Sequence, residues 1–483
     1  MPPIRLAAAL PAMLLLSTSI PAAILTVDQG GGGDYVDIQS AVYAAADGDT
    51  VHVMPGTYTA TGTAVVWISD QIVTIEGVGD VASIIIDGED ARYGFHVDSS
   101  DQFGTTIRNM TITRGLDSGV RAYFSNPSIE SCHITGCSGS AVVAVGDAVV
   151  AMQDCEVSYN TADNGPGLMN PGATITADGC EFHHNEATGG SPLSSSLYGG
   201  SMTLTNSAIH HNAGSDGGAV YSGWSTLVVD GCTLHHNQAG YMGAAIYAYG
   251  TGVAQISNCD VSWNFAAYDG GAVAARSGAS LELTSSTIAS NAGRGVVVAF
   301  GSDASIDTCN VTSNLTNTEW GGGIYLNGGT HTITNTTIAG NDASNGAAIG
   351  TNWNTSVSID GCTIANNTCW NSFGYEAALF GSYTQGDGRS VSNSDFCGNL
   401  PNHIDDDFAA GDDGSNTIEP SCTWCSADID GSLDVGLSDI FYLVDNWGPC
   451  ASCPGDFNED SNIGVADLLY LLQEWNYTIE DPV

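Results

Sequence analysis

A short frame that returns at a near-constant interval constrains this chain more than any other feature. Gly179-Cys180-Glu181-Phe182-His183-His184-Asn185 contains it, and the same frame runs from Cys155 to Asn160, Cys232 to Asn237, Cys259 to Asn264, Cys309 to Asn314 and Cys362 to Asn367. Ser207, Ser286 and Thr336 open three more copies, which close at Asn212, Asn291 and Asn341, so the closing asparagines fall 23 to 27 residues apart. Half an interval away lies a Gly-rich partner, as in Gly217-Gly218-Ala219-Val220-Tyr221 and Gly321-Gly322-Gly323-Ile324-Tyr325. A repeat of this length marks a solenoid. The runs inside it are short, β-branched and alternating (Ala173 to Thr176, Leu227 to Val229, Val357 to Ile359), which makes them strands. Asn suits the corner because it tolerates left-handed backbone and bonds nearby main chain, and stacked asparagines would bond one another up the ladder. The expected fold is all-β: a right-handed, single-stranded parallel β-helix of about a dozen rungs, each about 4.8 Å deep.

The order of segments follows. Residues 1–23 carry one Arg, the apolar run around Leu14-Leu15-Leu16 and a small-residue end, and read as a cleaved secretory signal. The β-helix is expected over 24–400, cap remnant and acidic linker over 401–421, a duplicated loop-helix module over 422–477 and a tail over 478–483. No later run has the roughly 20 apolar residues of a membrane span. The chain is therefore expected to be secreted, extracellular or held at a cell surface. It opens with a short helix from Ile38 to Ala46 and a first strand at Thr50-Val51-His52-Val53 before Pro55-Gly56-Thr57-Tyr58. This opening resembles that of pectate-lyase-like β-helix proteins, and the rungs are also similar to the repeats of polymorphic outer-membrane proteins. The superfamily includes lyases, hydrolases, epimerases and adhesins, so the resemblance implies a fold more than an activity.

Charge excludes some partners. There are 53 acidic residues against 8 basic ones, a net −45, and all the basic residues are Arg. Nucleic acid, whose phosphates need Lys and Arg, is an unsuitable partner. Calcium is the natural counter-ion, with solubility in salty surroundings as the alternative reading of the acidity.

The last 60 residues contain a second repeat. Asp428, Asp430, Ser432, Asp434 and Asp439 in one 12-residue loop match Asp456, Asn458, Asp460, Asn462 and Asp467 in another, each loop leading into one amphipathic helix. Oxygen donors at positions 1, 3, 5, 7 and 12 of a tight loop suit Ca²⁺. The pair resembles type I dockerin modules, which implies two bound Ca²⁺ and docking onto a cohesin-like or cell-surface protein. It departs from them at position 6, where Leu433 and Ser461 replace Gly, and at positions 10 and 11, Leu437-Ser438 and Val465-Ala466. Cys422, Cys425, Cys450 and Cys453 flank the first loop; disulfide staples and a zinc site are both compatible with their spacing. Seven cysteines of the β-helix share one repeat position and are expected to form a buried thiol ladder.

Catalytic signals are sparse. Arg108, Arg114 and Arg121, with His96, Asp98 and Asp101, form the one cluster of candidates, with ordinary surface pairing of Arg and Asp as the alternative. If Phe182, Ile209 and Leu234 point inward, then His183, His210 and His235 point outward and stack, where imidazoles on adjacent rungs could share a transition metal or simply form a polar ladder. Recurrent aromatics (Tyr221, Tyr247 and Tyr325 on strands; Trp224, Trp263, Trp320 and Trp353 in turns) would stack on sugars if exposed and pack together if buried. Two functions fit: a calcium-binding rod that binds glycans or surfaces and is attached through its C-terminal module, or a polysaccharide lyase or glycoside hydrolase tethered by it.

Overall fold

The computed structural model describes residues 22–98, 103–196, 199–267, 270–316, 320–370, 377–381, 388–409 and 411–419, with short pieces at 440, 443–444, 447–449, 462–465 and 467–469. The signal-like residues 1–21, Asp101, the four C-terminal cysteines and the loop positions Asp428, Asp430, Ser432, Asp434, Asp439, Asp456, Asn458 and Asp460 lie outside these residues.

One coil illustrates the rest. Val220–Gly223, Thr226–Asp230 and Thr233–His235 are its three main strands, and Gln238–Ala239 is a fourth of two residues. Each pairs in parallel with its counterpart one rung on: Val220 with Ile246, Thr226 with Val253, Thr233 with Asp260, Gln238 with Phe265. The third-strand sheet stacks fifteen strands, from Gly56–Tyr58 to Thr417–Glu419, a few more than the repeat frame alone indicates. First and second strands merge into one sheet because Ile324–Thr334 and Ile349–Asp360 run unbroken through the corner between them.

Alternation decides what lies inside. In Thr226–Asp230, Leu227 and Val229 are buried while Thr226 faces water. At one station of the third strand, Phe182, Ile209, Leu234, Val261 and Ile288 stack as consecutive core residues without exposure. Each coil so covers the next, and the core runs the length of the solenoid.

The corners are held by polar ladders. Ten asparagines, from Asn160 to Asn399, are buried, and each Nδ2 donates to the Oδ1 of the next at 2.9–3.1 Å. The left-handed backbone is not on these asparagines, as expected from their chemistry, but on the residue before each. Tyr159, His184, His211, His236, Trp263, Ser290 and Ser313 have φ of 52–55°, 57° for Trp263. The Asn side chain must point inward to join the ladder, so the preceding residue takes the reversal and points outward.

Cys132, Cys155, Cys180, Cys232, Cys259, Cys309 and Cys362 are buried and unbridged, as the thiol ladder requires. Ser207 interrupts the file with a hydroxyl at the same station, accepting from the Cys180 amide at 3.1 Å. Cys137 and Cys369 are also buried and outside any disulfide, whereas Cys397 is disulfide-bonded.

The N-terminal end differs from expectation. A strand at Ile24–Val27 precedes the helix and pairs with Thr50–Val53, so Thr50 does not begin the first strand. The helix spans Ile38–Ala44, capped by Asp37, which accepts from Ser40 N at 2.8 Å, and lays Ile38, Ala41 and Val42 over the open core. At the other end, described residues between 402 and 419 close the solenoid, as the cap part of the sequence reading expects. Phe408, in the short helix Asp406–Ala409, is buried against the last coil, and Thr417–Glu419 pairs with Asp395–Cys397. Lack of hydrophobic period hides such a cap, because one apolar side chain suffices to seal the end. Among the described residues no helix is long and apolar enough to cross a membrane.

Candidate functional site

The outward side of the first-strand sheet carries an aromatic and arginine-bearing file. Register places Trp67, His96 and Arg121 on successive rungs at its N-terminal part. Tyr221 and Tyr247 follow farther along, then Ala274, Val297 and Tyr325.

The catalytic candidates divide here. Arg108 leaves the group: its Nη2 donates to Glu76 Oε2 at 2.8 Å on the second-strand sheet. Arg114 stands in a left-handed turn and grips Asp87 with two donors; burial pushes the Asp87 carboxyl up, and the Arg114 bonds bring it below its ordinary value. Both are structural ion pairs. Arg121, His96 and Asp98 do come together. His96, 8% exposed, lies between Trp67 (ring centroids 4.3 Å) and Tyr93 (5.7 Å). Its Nδ1 is buried without a hydrogen-bond partner, and burial, then the Arg121 charge, hold the ring below its ordinary pKa, with Asp98 opposing. Arg121 donates from Nη1 to the Tyr93 hydroxyl at 3.2 Å, with its guanidinium over the Tyr93 ring at 5.5 Å.

A second cluster, which sequence reasoning missed, lies farther along the same face. Arg276 bonds the Tyr241 hydroxyl and stands 4.1 Å over the Phe300 ring, and Arg294 stands 4.5 Å over Tyr325. Tyr221, Tyr249 and Tyr325 pack around Met242, Tyr247, Ala274, Val297 and Ala299 in an apolar cluster separate from the main core. Burial pushes the Tyr247 phenol up to about 12. Of the strand aromatics, Tyr247 is buried and Tyr221 and Tyr325 are half-buried, while Phe300, Trp224 and Trp263 are exposed; the Trp353 side chain lies outside the described residues. Arg276, in register with Tyr249 on the preceding rung, was the available signal.

The histidines form two parallel stacks on the third corner. The inner file is His183, His210 and His235, with ring centroids 5.2 and 4.9 Å apart and planes within 6°. The outer file runs Tyr159, His184, His211, His236 and Trp263, its ring planes within 16° of parallel. Rings on adjacent rungs thus lie face to face with parallel lone pairs, so they do not share one ion as the sequence suggested. Glu156 and Glu181, not singled out by sequence, meet His183 Nε2 at 3.1 Å and His210 Nε2 at 2.9 Å. Register reveals them, because Glu156 stands one rung below His183. Burial, with neighbouring imidazoles, lowers the pKa of His184, His211 and His235.

Of the calcium-loop candidates, Asn462 and Asp467 fall within the described residues. Asp467 is buried, and its Oδ2 accepts from Gly464 N at 2.8 Å; Asn462–Ile463 pairs antiparallel with Gly448–Pro449.

Residues 93–243 and 244–404 match the family described as right handed beta helix region. The chain belongs to this family. A right-handed β-helix of this kind also matches, at 29% identity over 167 residues, metabotropic glutamate receptor-like protein R of Dictyostelium discoideum; the match covers 33% of this chain and about a tenth (10%) of that relative's length. Among solved structures it is similar to the A-module of Azotobacter vinelandii mannuronan C-5 epimerase AlgE4 (14% identity, TM-score 0.34, 80% of this chain and 91% of that one). It is also similar to tailspike protein 3 of bacteriophage CBA120 (12%, TM-score 0.40, 83% and 62%). A third similarity is to the catalytic unit of a GH87 α-1,3-glucanase from Streptomyces thermodiastaticus (15%, TM-score 0.33, 81% and 71%). At these identities none of them speaks for the chemistry of the β-helix face.

Proposed function

We propose that this chain is an exported rod that binds glycan along its first-strand face and is attached, through a calcium-loaded C-terminal module, to a cohesin-like or cell-surface protein. One observation carries the reading. In a chain with 53 acidic residues against 8 basic ones, Arg121 and Arg276 are held by tyrosine hydroxyls and rings on one face. Aromatic rings match the apolar faces of sugars, and guanidinium and phenol donors match their oxygens. Calcium would be held by Asp428, Asp430, Ser432, Asp434 and Asp439 in one loop and by Asp456, Asn458, Asp460, Asn462 and Asp467 in the other. There it would supply the positive charge that folds an acidic loop.

A second reading, a tethered polysaccharide lyase or hydrolase, is favoured by His96, whose sealed imidazole has an unpartnered Nδ1 beside Arg121 and Asp98. Such a group suits proton transfer once substrate excludes water.

One experiment separates them. The secreted protein is screened against a polysaccharide panel with and without Ca²⁺, following binding, unsaturated-product absorbance and new reducing ends. The rod reading expects binding without turnover, weakened about ten-fold or more by Arg276→Ala, or about 1.4 kcal/mol. Turnover abolished by His96→Gln would establish the enzyme instead. No binding to any glycan, or binding indifferent to Arg121→Ala and Arg276→Ala, would overturn the assignment of this face.

A further inference from the structure

Three successive coils carry a His-His pair at the third corner, and in each the two Nδ1 atoms face one another. The separations are 2.8 Å for His183 and His184, 2.9 Å for His210 and His211, and 3.0 Å for His235 and His236. The two rings of each pair stand at 87–89°. Two imidazole nitrogens bound at right angles to one ion, through bonds of about 2.0–2.1 Å, lie about 2.8–3.0 Å apart; tetrahedral ligation spreads them to about 3.3 Å.

The inner rings add an independent sign. Glu156 and Glu181 meet Nε2 of His183 and His210, which keeps the proton on Nε2 and turns the Nδ1 lone pair toward the partner ring. Carboxylates orient metal-bound histidines in this way. Without an ion, Nδ1–H of the outer ring donates into the gap.

We propose that each vicinal pair is a two-imidazole chelate for a divalent first-row ion that prefers square-planar or tetragonal nitrogen ligation, Cu(II) foremost, with solvent completing the shell. Cu(II) stands at the top of the affinity order for nitrogen donors. Among the described residues no group of three or more His, Cys, Asp or Glu side chains is placed to hold a metal ion, so each pair is proposed as a two-ligand site. Around the pairs, Glu156, Glu181 and Asp260 supply the local negative charge, with the His133 ring beside Glu156, and the net −45 of the chain draws cations to it. The three pairs are not equal. Below His235 the station of Glu156 and Glu181 is taken by Ala208, so the third pair lacks its orienting carboxylate and binds most weakly.

The test titrates the full secreted chain, with Ca²⁺ in excess to occupy the C-terminal loops, with Cu(II) alone. The expected result is three equivalents, two tighter than the third, with paramagnetic-resonance coupling to two imidazole nitrogens per ion. His184→Gln removes one equivalent, and the combined His184→Gln, His211→Gln, His236→Gln variant removes all three. These rings are exposed, and circular dichroism checks that the fold survives. Glu156→Gln retains every histidine and weakens its own site about 10–100-fold. Uptake unchanged in the triple variant, or ions lacking two-imidazole coupling, would overturn the proposal. So would a Glu156→Gln variant that binds as well as the native chain, leaving the pairs as hydrogen-bonded rungs alone.

Discussion

Asn264 uses every hydrogen-bonding capacity of its amide. Its Nδ2 donates to Leu234 O at 2.8 Å and Asn291 Oδ1 at 3.1 Å, while its Oδ1 accepts from the Asn237 backbone N and Nδ2, both at 3.0 Å. In Asn264→Ala the buried Asn237 backbone N–H loses its acceptor, and Asn237 Nδ2 keeps Ile209 O but loses Asn264, at about 1–3 kcal/mol per unsatisfied group before relaxation. The expected loss is about 2–4 kcal/mol, read by urea unfolding and by faster hydrogen exchange at the Asn237 amide. A loss below about 1 kcal/mol would mean that the ladder follows from the fold and does not hold it. The neighbouring thiols are inert for a related reason. Burial pushes Cys132 up to about 12 and Cys309 and Cys362 up to about 11, so they pack as small apolar groups.

The corner between second and third strands is built from an acidic element that repeats. Asp178 accepts from Thr205 Oγ1 and Asn206 Nδ2 at 2.7 and 2.8 Å, and Asp230 from Ser257 Oγ and Asn258 Nδ2 at 2.6 and 2.7 Å. Asp360 does the same with Ser392 and Asn393, and Asp307 with Thr334 and Asn335. The hydroxyl bonds first, and then the amide bonds, hold Asp178, Asp230 and Asp360 below the usual carboxylate range; Asp307 is likewise lowered, chiefly by Thr334. A depressed folded pKa means that the unfolded chain takes up protons first on acidification. This contribution is complete above the unfolded value of about 3.9 and is lost as pH falls through the folded values. The melting temperature should therefore drop steeply below about pH 4, and Asp230→Asn should make that slope shallower. An unchanged slope in Asp230→Asn would place the acid sensitivity elsewhere.

At the scale of the whole molecule, each coil bonds only its neighbours, so stability along the rod is a sum of local interfaces. If residues 422–477 form the proposed calcium module, metal binding would supply the folding energy of that small acidic domain. Chelation of Ca²⁺ with EGTA is expected to lower the calorimetric transition of residues 422–477 and to leave that of the β-helix in place. A shift of both would mean that the β-helix itself holds calcium or leans on the module.

Strand identity, parallel stacking, the inward station of Phe182 and Leu234, the asparagine ladder and the buried thiol file were all legible in the chain. Each is a local preference repeated in register, so the period displays it directly. Tertiary structure alone decided which residue bends left-handed before each Asn, how Phe408 seals the end, and which arginines are spoken for. Arg108 finds Glu76 and Arg114 finds Asp87 across 32 and 27 residues. His183 finds Glu156 across 27. Loops of unequal length lie between such partners, so linear spacing does not reveal who meets whom. Rung register does, and it is set by the stacking of the core.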